Sequence, residues 1–120
     1  MSGGLSGVPM TGELIASHAE AAADWLRAAG WDPSFMACRG LGDALAHAVR
    51  TDPEQRFTTD TRYALRRIFE LLIRALTGAP AADYEAWDQH PARPAEEVFG
   101  LLAAAAVFAR TYGPAQAAAA

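Results

Sequence analysis

WDQHPARPAEEVFGLLAAAAVFAR, Trp87 to Arg110, is the stretch that decides the fold. A polar segment bracketed by Pro91 and Pro94 runs directly into Val98, Leu101, Leu102, Ala105, Phe108 and, one turn on, Tyr112. Apolar residues three and four apart put a single apolar stripe on an α-helix. Pro94 suits the first helical turn, where its missing N–H is not needed, and Glu96 and Glu97 favour the positive end of the helix dipole. These features form a packing signature, an aromatic anchor feeding a helix, and they specify a fold without specifying a reaction.

Working outward, glycine and proline divide the rest of the chain into helical segments. A first helix is expected from Thr11, whose hydroxyl can cap free N–H groups, to Gly30 as the C-terminal stop. Its core face is Leu14, Ile15, His18, Ala22, Trp25, Leu26 and Ala29. The pattern breaks at Asp32-Pro33, and Phe35 and Met36 are expected to tuck this connection against the core. A second helix follows from about Gly40 to Arg50, where Gly40 and Gly42 each cost about 1 kcal/mol relative to alanine and leave room for a close helix crossing. A third helix is expected from about Thr61 to Thr77, ending at Gly78, with Leu65, Ile68, Phe69, Leu72 and Leu76 buried and Ile73 beside them. Residues 79–93 form a proline-rich loop whose Tyr84 and Trp87 order it only if they are buried.

The expected architecture is therefore all-α, a compact bundle of about four helices with a proline-rich loop before the last. At 120 residues it holds one core in one domain, residues 11–112. Residues 1–10 are Gly/Ser-rich and 113–120 follow a Gly-Pro stop, so both are expected to be flexible. The N-terminus has no signal-peptide pattern, and the longest apolar run, Leu101 to Ala109, falls short of the roughly 20 residues of a membrane span.

Composition narrows the function. The formal net charge is −4, and all ten basic residues are arginines, the bias of a GC-rich coding sequence. An acidic chain opposes nucleic-acid binding, which relies on a basic face. One cysteine, Cys38, forms no internal disulfide and suits a reducing cytoplasm; it is expected to be a small buried structural residue. His18, His47 and His90 lie on different segments without metal-ligand spacing, His18 on an apolar face and the other two exposed. No metal, cofactor or catalytic residue is assigned.

The chain resembles a family of small domains of unknown function from actinobacteria and their phages. The resemblance rests on Gly30-Trp31, on Cys38 with Gly40-Leu41-Gly42, and on Trp87-Asp88 through Pro91, Arg93 and Glu96-Glu97-Val98. The family's closing motif reads Trp-Asn-Asp-x-Pro-x-Arg-Thr-x-Glu-Glu-Val, so Asp88-Gln89 replaces Asn-Asp and Pro94 replaces the capping threonine. The resemblance implies the helical fold and carries no activity.

Three surfaces remain as candidates. The Ala run 103–106 stays partly exposed whichever way its helix turns and suits self-association or a protein partner, which is the leading expectation. Trp87, Asp88, His90 and Arg93 would bind a small molecule, or serve a minor enzyme with Asp88 or His90 as acid or base and Arg93 holding an anionic group, if they converged on one cavity. Arg62, Arg66 and Arg67 lie in the one basic stretch, where six arginines between Arg50 and Arg74 face four acids, and would bind an anion or a nucleic-acid backbone if they formed an exposed stripe.

Overall fold

The computed structural model describes residues 10–119, with side chains as far as Gly113. The expected flexible segment 1–10 falls, apart from Met10, outside the described residues. Five helices follow in order: α1 Gly12–Ala29, α2 Leu41–Thr51, α3 Thr59–Thr77, α4 Tyr84–Asp88 and α5 Ala95–Ala119. The fold is all-α as expected, and the short α4 lies inside the proline-rich linker.

Local chemistry sets the helix ends. The Thr11 hydroxyl accepts from the Leu14 N–H at 3.1 Å, and Gly30, with φ 93°, ends α1 in a conformation that favours glycine. Thr58 caps α3, and Gly78 closes it in the left-handed region at φ 74°. Gly113, with φ 71°, breaks the helical geometry of α5 before it resumes towards Ala119.

The bundle is centred on the pairing of α1 with α5, onto which α3 and α2 pack. Small residues make this contact close. Ala16, Ala19, Ala22 and Ala23 of α1 and Ala105, Ala106 and Ala109 of α5 are all buried in one core with Ile15, Leu26, Phe69 and Leu102. A Cβ on Gly12 would run into the backbone carbonyl of Ala109, so the start of α1 tolerates no side chain there.

Several expected core positions turn outward. Ala29 is exposed at the end of α1, and Tyr112 is exposed beyond the last core turn of α5. On α3 the buried face runs through Thr61, Ala64, Leu65, Ile68, Phe69 and Ile73, which leaves Leu76 in solvent. Leu76 shares the face of Leu65 and Phe69 but lies in the last turn of α3, where residues 74–78 are all exposed beyond the core.

Thr61 faces inward because His18 does. The His18 side chain is 0% exposed, stacks on Phe57 at 4.6 Å, and has both ring nitrogens bonded, Nδ1 with Thr61 Oγ1 at 2.9 Å and Nε2 with the Leu45 carbonyl at 3.0 Å. The carbonyl only accepts, so Nε2 carries the proton and donates. His47 is not open to solvent as expected but half-buried, stacked on Trp25 at 4.3 Å.

Two predictions follow from this packing. Gly12→Ala should destabilise by about 1–3 kcal/mol through overpacking against backbone, while Gly100→Ala, which meets open space in a helix interior, should stabilise by up to about 1 kcal/mol; urea unfolding of both variants measures the contrast. The second concerns pH. Burial holds the His18 pKa below its usual value, so the unfolded chain takes up a proton on that residue, as pH falls below about 6.5, before the folded chain does. Stability should therefore fall on acidification, by up to about 1.4 kcal/mol per pH unit, and His18→Gln should flatten that slope.

Candidate functional site

The residues from Trp31 to Gly40 form a braced surface loop. Asp32 and Arg39 pair as an antiparallel bridge, with the Asp32 N–H donating to the Arg39 carbonyl at 3.0 Å and the Arg39 N–H to the Asp32 carbonyl at 2.8 Å. Inside it, the Asp32 carboxylate accepts from the Ser34 N–H at 3.1 Å and the Cys38 N–H donates to the Ser34 carbonyl at 2.9 Å. The Arg39 side chain donates from Nε to the Gly30 carbonyl at 2.7 Å.

This bracing overturns two expectations. Phe35 and Met36 do not tuck against the core: they are 92% and 89% exposed at the loop tip. A loop closed on itself by the 32–39 pair has no slack to fold back, so its tip projects. Cys38 is exposed as well, at a positive φ of 54°, with its thiol donating to the Phe35 carbonyl at 2.9 Å.

Asp88 ties this loop to the bundle. It is 4% exposed; Oδ1 accepts from the Trp31 indole N–H at 2.8 Å and Oδ2 from the Leu41 N–H at 2.8 Å. Gly40, the N-cap of α2, has no side chain to cap with, and a Cβ there would collide with Asp88 Oδ2. The cap is instead supplied from α4, while Asp43 reaches back to accept from the Gly40 N–H at 2.9 Å. Burial pushes the Asp88 carboxyl above the usual range, while the Leu41 and Trp31 bonds favour its charged form and work against that shift.

The residues of the 87–93 loop separate rather than converge. Trp87 is half-buried under the Arg93 guanidinium, which lies 3.9 Å from its ring centroid and pairs with Glu97 at 2.6 Å. His90 is exposed, its Nδ1 accepting from the Ala92 N–H at 3.1 Å. His90 and Arg93 border an open groove with Trp31, Pro33 and Phe35, whereas Asp88 lies towards a different cleft.

The three α3 arginines also diverge. Arg62 borders the cleft above α2, away from the other two; Arg66 sits 5.5 Å over the Tyr84 ring, and Arg67, beside the same shallow hollow as Arg66, lies 3.9 Å from Glu70. Asp60 and Glu70 share the Arg66–Arg67 face and break its positive field.

The turn signal at Asp32-Pro33 was the available clue to the projecting tip. Nothing in the sequence pointed to Asp88 as a cap, because its partners are 47 and 57 residues away. Among the described residues, no group of three or more His, Cys, Asp or Glu side chains is placed to hold a metal ion, and no helix is long and apolar enough to cross a membrane.

Fold and loop thus define a small helical domain that displays a rigid apolar tip. The chain belongs to a family of unknown function (DUF6197), whose model matches residues 10–108. No curated protein and no solved structure matches it.

Asp88→Ala should cost about 3 kcal/mol, because it strands the buried Leu41 N–H and releases the Trp31 indole. Thermal unfolding, read together with Trp fluorescence, should show a lower midpoint and a red-shifted indole already in the native baseline.

Proposed function

We propose that this domain is a non-catalytic interaction protein, and that the contact is made by the Phe35–Met36 tip with a second copy of the chain. The observation carrying the proposal is the near-complete exposure of two large apolar side chains on a loop fixed by its own hydrogen bonds. Placing Phe and Met in water forgoes the hydrophobic free energy of burying them, about 1.5–3 kcal/mol each, and a stiff loop loses little entropy when it docks.

The choice of a second copy rests on shape. The tip borders the groove formed by Trp31, Pro33, His90 and Pro91, so projection and concavity lie side by side on one face. A two-fold contact needs such a self-complementary patch, each tip entering the groove of the other chain. The groove also gives His90 and Arg93 a role at the rim of a protein contact, where polar groups ordinarily lie.

The alanine surface of α5 is the lesser face. Ala105 and Ala106 are in the core, leaving Ala103, Ala104 and Val107 outside. It has no side chain large enough to act as an anchor.

Sedimentation velocity should show a monomer–dimer equilibrium at high micromolar concentration, and Phe35→Ser with Met36→Ser should weaken it by at least about ten-fold, or 1.4 kcal/mol, without lowering the melting temperature. Val107→Glu should leave it unchanged. A wild-type chain that stays monomeric throughout would refute self-association, and sensitivity to Val107→Glu alone would move the contact to α5.

A further inference from the structure

A second concavity, adjoining the groove across Pro33, Phe35 and Gln89, lies between α2, α3, α4 and the 33–38 loop. Its floor is Tyr84. That side chain is 3% exposed, packed at 5.8 Å against Phe69 with Arg66 over its ring, yet its hydroxyl oxygen makes no hydrogen bond among the described residues and is not one of their sealed polar atoms. The hydroxyl is not sealed in the core: it opens into the cleft beside Gly42, where a Cβ would stand only 3.0 Å from it. Nine-tenths of a tyrosine is thus buried while its polar end is left facing an unfilled space that a glycine keeps open. A tyrosine whose ring is fixed in the core and whose O–H no protein group engages holds a pre-positioned donor for whatever enters the cleft.

The walls say what kind. From α3 comes the Arg62 guanidinium, which forms no ion pair among the described residues. From α2 and α4 come the carboxylates of Asp43 and Glu85. Asp88 also borders the cleft, with each of its oxygens already accepting one bond, from Trp31 and Leu41. A purely anionic ligand would be drawn to Arg62 and repelled by the two acids; a purely cationic one would meet Arg62 and the neighbouring Arg66. A ligand with a carboxylate at one end and an ammonium at the other suits both walls. The volume, about 270 Å³, is below the range of about 300–1,000 Å³ usual for drug-sized ligands. Pro33 and Phe35 add an apolar edge.

We propose that the cleft over Tyr84 and Gly42 binds a free apolar α-amino acid, its carboxylate accepting from Arg62 and the Tyr84 hydroxyl and its ammonium lying between Asp43 and Glu85. This site does not rest on the self-association reading, because its polar contacts come from α2, α3 and α4, although Phe35 borders both.

The test is titration of the full chain with L-leucine, followed by backbone amide NMR shifts. Two half-ligands serve as comparisons: isoamylamine, which lacks the carboxylate, and 4-methylpentanoate, which lacks the ammonium. Saturable shifts at the Gly42 and Glu85 amides are expected with L-leucine at up to millimolar concentration, and each half-ligand should bind at least about ten-fold more weakly. Tyr84→Phe should weaken leucine binding by about ten-fold while leaving the melting temperature unchanged, since the hydroxyl bonds nothing in the protein. Arg62→Gln, at a half-exposed position, should do the same and covers the case in which the tyrosine variant fails to fold. The proposal is overturned by the absence of saturable shifts, by a half-ligand that matches leucine, or by full affinity in folded variants at both positions.

Discussion

The buried carboxylate of Asp88 is the constraint on which the functional face depends. It receives the indole N–H that ends the α1–loop junction and the first free N–H of α2, while itself sitting on α4. Three segments far apart in the chain therefore meet at two oxygens. A buried charge is costly unless it is bonded on all sides, and removing one partner is expensive because the other groups are left unpaired. That asymmetry locks the geometry. Trp31 fixes where the loop leaves the bundle, Leu41 fixes where α2 begins, and Asp32 and Arg39 close the loop between these two points. The tip at Phe35 and Met36 has one direction in which to project.

Beneath this face the bundle depends on small side chains. The alanines of α1 and α5 read as a coding bias, and physically they bring the two helices close together, with Gly12 against the Ala109 backbone at one end. An interface of this kind buries little area per residue, so larger anchors are needed around it. Ile15, Leu26, Phe69 and Leu102 supply them, and each is fully or almost fully buried. The pair is fastened outside the core too: Arg110 of α5 reaches Glu13 at 2.9 Å and Glu20 at 2.8 Å, holding both carboxyls below their usual range. These contacts are exposed and add orientation more than stability.

What the sequence made legible follows the range of the interactions. Thr11, Gly30 and Gly78 act on backbone within a turn of themselves, so the ends they set could be read directly. The α5 stripe through Val98, Leu101, Leu102 and Ala105 is periodic and equally plain. Leu76 keeps the apolar period of α3 yet lies past the end of the core, and periodicity does not say where along a helix its neighbours stop; Thr61 is buried against His18 although a threonine gives no apolar signal. Phe35, Met36 and Cys38 were misplaced for the converse reason: apolar character argues for burial, and only the backbone pairing of Asp32 with Arg39 keeps these side chains out. The candidate site was partly visible, in that the Trp87–Arg93 loop is ordered and its aromatic is half-buried. The direction of Asp88 was not, since its donors lie in α2 and in the connection after α1.

The division of polar groups on this face bears on the binding role proposed for it. A general acid or base must have an oxygen or nitrogen free to meet a proton, and Asp88, the one carboxyl here raised by burial, has both oxygens committed to structure. Arg93 is likewise held between Trp87 and Glu97. Among the described residues the groups that face the two concavities include the apolar tip, the Tyr84 hydroxyl, Arg62, Glu85 and His90, whose chemistry is contact, hydrogen bonding and charge. All of them flank the loop that Asp88 anchors. Asp88 thus holds still the surfaces on either side of it, and the proposed binding role depends on that rigidity, because a surface that does not deform discriminates between partners.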